Sequence, residues 1–236
     1  MISLIDKELP SGIIAQGPVS GRLLAWWEAY HHTTIARFYQ TQHGGCIAIL
    51  DTQAIACIPE ADAEEVAAFI ELQPEIRSIY TTELMHFAGK AKRFMAMIAP
   101  KVAQAECLET VGLQHLYTFL QPFFEDLPPF EAWYLDVSYR TRHGLCRHAA
   151  ITENAQIASS AMTVAEWQGG ALLGGVATAP DYRRRGYAAR CVLSLTAALQ
   201  AMGKTVWICP YNPPAQRLYQ SLGFRERSAV TLIERM

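Results

Sequence analysis

The chain has 236 residues, 51% hydrophobic and 18% charged, with a formal net charge of -2. That composition supplies material for a core and excludes a low-complexity or disordered chain, and the near-neutral balance gives no case for nucleic-acid binding. No apolar run approaches the roughly 18 residues needed to span a bilayer, and Met1-Ile2-Ser3-Leu4-Ile5-Asp6-Lys7 lacks the layout of a secretion signal, so a cytoplasmic protein with no membrane attachment is expected.

In the first half, a helix is expected at 21–31, followed by strands at 35–39, 46–50 and 54–58. A helix at 61–72, a strand at 76–82, a short helix at 84–89 and a strand at 93–98 follow. A helical connector at 100–120 and a proline-rich turn at 122–129 lead into the second half. There, strands at 133–142 and 145–152, a hairpin turn at Glu153-Asn154, and strands at 157–166 and 171–179 make a meander. The order of elements in the first half copies that of the second. The six cysteines fall mostly inside these elements, as small buried hydrophobes do.

The strand at 171–179 is closed by Pro180, which cannot continue a ladder. Beyond Asp181-Tyr182-Arg183-Arg184-Arg185-Gly186 the apolar positions Ala188, Val192, Leu195, Leu199 and Met202 share one helix face, and Gly203 stops the helix. A loop at a helix start offers N–H groups without intrahelical partners and the positive end of the macrodipole, so the backbone of 184–189 is a candidate phosphate cradle. Gly186 would permit dihedrals, and a close approach, that a Cβ forbids. The Walker spacing fails here, because Gly169 and Gly174 are followed by Gly175-Val176 with no lysine or hydroxyl, and the dinucleotide Gly-x-Gly-x-x-Gly is absent. Three arginines before a helix could equally be a solvated basic turn.

A second block decides between these readings. A β-rich stretch at 205–209 is followed by Asn212-Pro213-Pro214, a helix start with Asn212 placed to cap it, and by Ala215, Leu218, Tyr219 and Leu222 on one helix face before Gly223-Phe224. Together the two blocks resemble the GNAT (GCN5-related) N-acetyltransferase superfamily. Its acetyl-coenzyme A loop reads Arg/Gln-x-x-Gly-x-Gly/Ala, here Arg183-Arg184-Arg185-Gly186-Tyr187-Ala188. Its second block reads Asn-x-x-Ala-x-x-Leu-Tyr-x-x-x-Gly-Phe, matched at every letter from Asn212 to Phe224. Arg140-Thr141-Arg142-His143-Gly144 is similar to an element of the FR47-like branch.

The resemblance implies an α/β fold in which a mixed central sheet is flanked by helices. It also implies acetyl-coenzyme A as co-substrate, no metal, and acetyl transfer to a primary amine, small-molecule or peptide, in a ternary complex. Amides from Arg184, Arg185, Gly186, Tyr187, Ala188 and Ala189, beside Arg183, would bind the pyrophosphate. The strand backbone at Val176, Ala177 and Thr178 would pair with the pantetheine arm. Asn212 would contact the cofactor or an ordered water, and Tyr219 would be the general acid at the sulfur. Tyr219 also suits a core aromatic on a helix face. A catalytically weak acyl-coenzyme A sensor is the rival function, and a homodimer stays open.

An amine of pKa about 10.4 must lose a proton before it attacks. The strand position that carries a carboxylate in many relatives falls here on Leu172-Leu173-Gly174-Gly175, with nothing ionisable. Glu166 is therefore the first candidate base, with Asp136 and His143 behind it and a water chain as the substitute. His143, Cys146 and His148 are potential metal ligands, but no second pair at a zinc-like spacing follows, so ordinary strand and turn roles are expected.

The equivalent loop in the first half reads Ile58-Pro59-Glu60-Ala61-Asp62-Ala63-Glu64-Glu65, whose acids suit a helix start and repel coenzyme A. Residues 1–125 are accordingly expected to form a degenerate GNAT-like domain and residues 126–236 the catalytic one. Lys and Arg number 8 against 14 Asp and Glu in the first, and 12 against 8 in the second. The basic half would attract the anionic cofactor.

Overall fold

The computed structural model describes residues 1–5, 8–10, 13, 17–82 and 89–235. In chain order the elements are β1 (Ser3–Leu4), α1 (Pro18–Tyr30), β2 (Ala36–Gln40), β3 (Cys46–Leu50), β4 (Gln53–Cys57), α2 (Ala63–Glu71), β5 (Ser78–Thr81), β6 (Gly89–Ile98), α3 (Leu113–Leu120), α4 (Phe130–Arg142), β7 (His148–Glu153), β8 (Gln156–Trp167), β9 (Gly170–Thr178), α5 (Tyr187–Ala201), β10 (Thr205–Ile208), α6 (Pro213–Ser221) and β11 (Arg225–Arg235). They divide into two compact units, Met1–Ala96 with Glu226–Met236, and Met97–Arg225.

In the first unit β2, β3 and β4 form an antiparallel meander, and β4 pairs in parallel with β5 after crossing through α2. β3 is buried almost throughout, as expected of a strand covered on both faces. Ile47, Ile49, Ala54, Ala56 and Ile79 meet Val66 and Ile70, which lie four apart on α2. β11 runs antiparallel to β5, and its Arg235 guanidinium donates to the Ile70, Gln73 and Ile76 carbonyls (3.2, 2.8 and 3.3 Å), satisfying acceptors at the end of α2.

In the second unit β7, β8 and β9 are antiparallel, β9 and β10 are parallel across α5, and β10 pairs antiparallel with Met97 and Ile98. The β7–β8 turn is centred on Asn154 and Ala155, both with positive φ (51° and 60°), as a two-residue hairpin turn of matching twist requires. Helices α5 and α6 bury Cys191, Val192, Leu195, Leu199 and Tyr219 against Ala171, Leu173, Val206 and Ile208. Each such aliphatic side chain contributes about 1.5–3 kcal/mol by leaving water. A separate cluster joins α3 and α4 to Met162 and Ala177. The α/β class with mixed sheets flanked by helices is thus as expected.

Several expectations give way. The segment 133–142 is helical, not a strand: Trp133, Val137 and Arg140 are buried at helical spacing, and this pattern overrides the β-leaning Trp, Tyr and Val content. The strand expected at 145–152 begins only at His148, and of the connector at 100–120 only α3 is helical. The short helix expected at 84–89 lies outside the described residues except for Gly89, which opens β6. The expected division at 125/126 runs through a packed cluster, in which Leu116, Tyr117 and Leu120 are buried with Trp133, Val137 and Cys146. The units part instead at Ala96/Met97 and again at Arg225/Glu226.

Candidate active site

β9 pairs with β10 only from Gly170 to Leu173, opposite Thr205 to Ile208. It then continues through Gly174, Gly175, Val176, Ala177 and Thr178 along a rim where β10 has ended. Register against β8 shifts between Ser160↔Ala177 and Met162↔Gly174, so β9 carries one extra residue, a β-bulge, with Gly175 at φ 55°. A Cβ at Gly175 would lie 2.7 Å from Met162 Cγ, so both conformation and space require glycine there. Ala179 N–H donates to Ala158 O (2.9 Å) and Ser159 Oγ donates to Ala177 O (2.8 Å), both toward β8. By the alternation of strand backbone, Val176 and Thr178 turn their peptide groups to the other rim.

After β9, Pro180–Tyr182 makes a single 3₁₀ turn, Arg183 is extended, and Arg184 (φ 64°) and Gly186 (φ 78°) are left-handed. Gly186 is the N-cap of α5 and supplies no side chain to it; the first intrahelical bond is Arg190 N to Gly186 O at 3.1 Å. The amides of Tyr187, Ala188 and Ala189 therefore have no helical acceptor and face outward from the positive end of a 15-residue helix. Open space surrounds the site where a Cβ at Gly186 would stand, so this glycine is required by its φ and not by crowding within the chain. Arg183 Nε donates to Thr178 O (3.2 Å), Arg185 Nη2 donates to Asp181 O (3.1 Å), and Arg183, Arg184 and Arg185 are exposed.

Two acids absent from the sequence-based site brace this loop. Tyr187 Oη donates to Glu153 Oε1 at 2.6 Å, and this carboxylate pushes the Tyr187 phenol up from its ordinary value. Arg190 donates to Glu106 through Nε and Nη2, both at 2.9 Å. Glu153 had only a turn signal, and Glu106 sits in an irregular stretch without pattern, so neither was visible before the fold brought them to α5.

Asn212 caps α6: its Oδ1 accepts from Ala215 N at 2.9 Å. Two turns on, Tyr219 is 5% exposed and packs 6.0 Å from the Phe224 ring centroid. Burial, then the nearby Cys209 thiol, pushes its phenol up, which keeps it protonated across the neutral range. Cys209 follows the last β9–β10 pair, Ile208↔Leu173, and was not singled out from the sequence.

Glu166 is not brought to this loop. It is opposite Ala171, while Thr178 lies seven residues further along β9, about 20 Å at roughly 3.3 Å per residue. Its carboxylate is buried, ion-paired with Arg147, 3.3 Å from Lys204 Nζ, and accepts from Thr163 Oγ1 (3.5 Å). Asp136 is held bidentately by Arg140 (2.9 and 2.5 Å), and exposed His143 packs at a tilt on Tyr139 with Nδ1 2.8 Å from the Tyr139 carbonyl. His148 is buried with Nε2 between Val111 N (3.0 Å) and Val111 O (2.9 Å), and Cys146 Sγ donates to Thr163 O (3.4 Å). Among the described residues no three His, Cys, Asp or Glu side chains are grouped to hold a metal, and no helix is long and apolar enough to cross a membrane.

A bulged strand that parts from its parallel neighbour and runs into an anion-ready helix start is the core of the GNAT acetyltransferase fold. Residues 151–233 match the FR47-like protein family, a GNAT-related family, and the chain as a whole has the GNAT fold. Among solved structures it is similar to a GNAT-family protein from Novosphingobium aromaticivorans (23% identity, 92% of this chain and 95% of that one, TM-score 0.65). It is also similar to a GNAT-family acetyltransferase from Colwellia psychrerythraea (15%, 100% of both chains, TM-score 0.53). A tandem GNAT protein from the clavulanic acid biosynthesis pathway aligns as well (13%, 94% of this chain and 89% of that one, TM-score 0.52). No curated protein matches this sequence.

Proposed function

We propose that the chain is an N-acetyltransferase that moves an acetyl group from acetyl-coenzyme A to a primary amine by direct attack in a ternary complex. The observation that carries this reading is the continuity of the parted, bulged β9 with the left-handed Arg184 and Gly186 loop and the outward amides of Tyr187, Ala188 and Ala189. Three converging N–H groups at a helix start fit a pyrophosphate, and the exposed Arg183, Arg184 and Arg185 add attraction for it. The cofactor, when bound, supplies an activated acetyl thioester. Val176 and Thr178 would offer their backbone to the pantetheine amides and to the acyl carbonyl, as an added strand would receive them. Tyr219 would hold its proton on Oη and pass it to the departing sulfur. Asn212 orders the start of the helix that carries Tyr219.

No carboxylate of this unit emerges as the base. Glu166, paired with Arg147 and Lys204 at the far end of the hairpin, is better explained as a structural charge, which leaves a water chain to take the amine proton. This same feature favours a second reading, a weakly catalytic acyl-coenzyme A sensor. Calorimetric titration with acetyl-coenzyme A beside a thiol-release assay over an amine panel separates the two. Binding with turnover supports the enzyme, binding without turnover supports the sensor, and absence of binding overturns both.

The first unit is proposed to be a degenerate GNAT-like repeat without cofactor binding. Its order β2-β3-β4-α2-β5 repeats β7-β8-β9-α5-β10, including the parallel pair across the helix. At the start of α2, however, stand Glu60, Asp62, Glu64 and Glu65. A cavity of about 390 Å³ at the end of β4, walled in part by Gly44, Gly45, Cys57, Ile58 and Pro59, has no charged residue among the described residues of its lining.

A further inference from the structure

The side of β9 away from α5 is bordered by a segment of unusual composition. From 102 to 139 the chain has no lysine or arginine and six aspartates or glutamates, while Phe119, Phe123, Phe124 and Phe130 crowd its middle. The fold sets this segment against the bulge: Leu120 Cδ1 lies 3.7 Å from where a Cβ at Gly175 would be. Immediately after Leu120 come the turn Gln121–Phe123 and the stretch to Leu127, where Phe123, Phe124 and Leu127 stay partly exposed while packing on the cluster that contains Met162 and Ala177. Glu125 and Asp126 stand exposed beside them. The cofactor loop has the opposite character, with three consecutive exposed arginines.

We propose that the acceptor is a primary amine carried on an aromatic or alkyl body, seated on the rings of Phe123 and Phe124 with its ammonium drawn in by Glu125 and Asp126. This rests on the acetyl-transfer reading above. An apolar body gains roughly 25 cal/mol for each Å² withdrawn from water on such a surface. A polyamine or an amino sugar would instead lay polar groups against rings that return no hydrogen bond. The acidic flank raises the local concentration of cations whatever the body.

The test is competition at saturating acetyl-coenzyme A among phenethylamine, spermidine, glucosamine and a lysine-containing peptide. Phenethylamine is expected to show kcat/KM at least about 10-fold above the others, the scale on which apolar contacts discriminate. Phe124→Ser should raise the phenethylamine KM with kcat little changed and acetyl-coenzyme A affinity unaltered. The exposed double change Glu125→Gln with Asp126→Asn, which leaves the core untouched, should raise KM at low salt and lose that effect at high salt. Equal or better use of spermidine or glucosamine overturns the proposal, as does an unchanged KM in both variants. Should no amine turn over, calorimetric titration of phenethylamine into protein saturated with coenzyme A decides, and absence of binding overturns the proposal. Loss of acetyl-coenzyme A binding itself overturns the underlying reading instead.

Discussion

Tyr187 and Glu153 tie the first residue of α5 to the tip of the β7–β8 hairpin through a 2.6 Å hydrogen bond. The helix start proposed to hold a pyrophosphate is thus fixed at a point 34 residues away in sequence. Tyr187→Phe is expected to weaken acetyl-coenzyme A binding a few-fold while leaving kcat nearly constant, because the bond orients the amides without touching the reacting atoms. Calorimetry beside steady-state rates checks the split; a loss confined to kcat would count against it.

Tyr219→Phe should lower kcat by on the order of 100-fold with cofactor affinity preserved, the range of a lost general acid. The pH dependence has a defined sign. Burial raises the folded phenol above its unfolded value of about 10, so its contribution to stability is complete below that pH and is lost as pH rises through the folded value. Alkaline melting curves of the wild type should fall more steeply than those of Tyr219→Phe.

Gly186→Ala and Gly175→Ala should differ. The former meets open space and carries only the conformational cost of a left-handed residue, about 1–2 kcal/mol, so the fold should persist while cofactor binding weakens. The latter adds a 2.7 Å approach to Met162 Cγ, and its melting temperature should drop further. Equal drops in the two would contradict the bulge.

Glu166→Gln should cost about 3 kcal/mol of stability by leaving Arg147 and Lys204 facing a neutral partner, yet keep most of kcat in the surviving folded enzyme. A large loss of kcat at full stability would return Glu166 to the list of bases.

Acid sensitivity should reside partly in the first unit. Burial acts to raise the Asp62 carboxyl, but hydrogen bonds from Thr41 and His43 outweigh it and hold the group below the ordinary range. Its stabilisation is therefore present above the unfolded value of about 3.9 and is lost as pH falls through the lower folded value. Asp62→Asn should flatten the acid limb of a melting-temperature profile.

The 183–189 loop and the helix after Asn212 are legible because their signals are local: a strand stopped by Pro180, glycines at turns, and apolar residues at helical spacing. At 133–142 β-leaning residues mask the helical spacing, which only Trp133, Val137 and Arg140 carry. Glu166 drew a catalytic reading because its partners Arg147 and Lys204 lie 19 and 38 residues away. The assignment of β11 to the first unit had no sequence signal, since an alternating strand does not name its partner.

The bulge at Gly175 has a consequence for how β9 can vary. Before it, Ala171 and Leu173 face the cluster under α5; beyond it Val176 keeps to that cluster and Ala177 meets α3 and α4. One extra residue makes a phase change midway along a single strand. The stretch that anchors the sheet and the stretch that would greet a thioester are thereby geometrically independent, so either can drift in sequence without reorienting the other. Deleting Gly175 would put Val176 two positions after Leu173, on the same face, so the ladder would become regular and lose its bulge without turning the far stretch over.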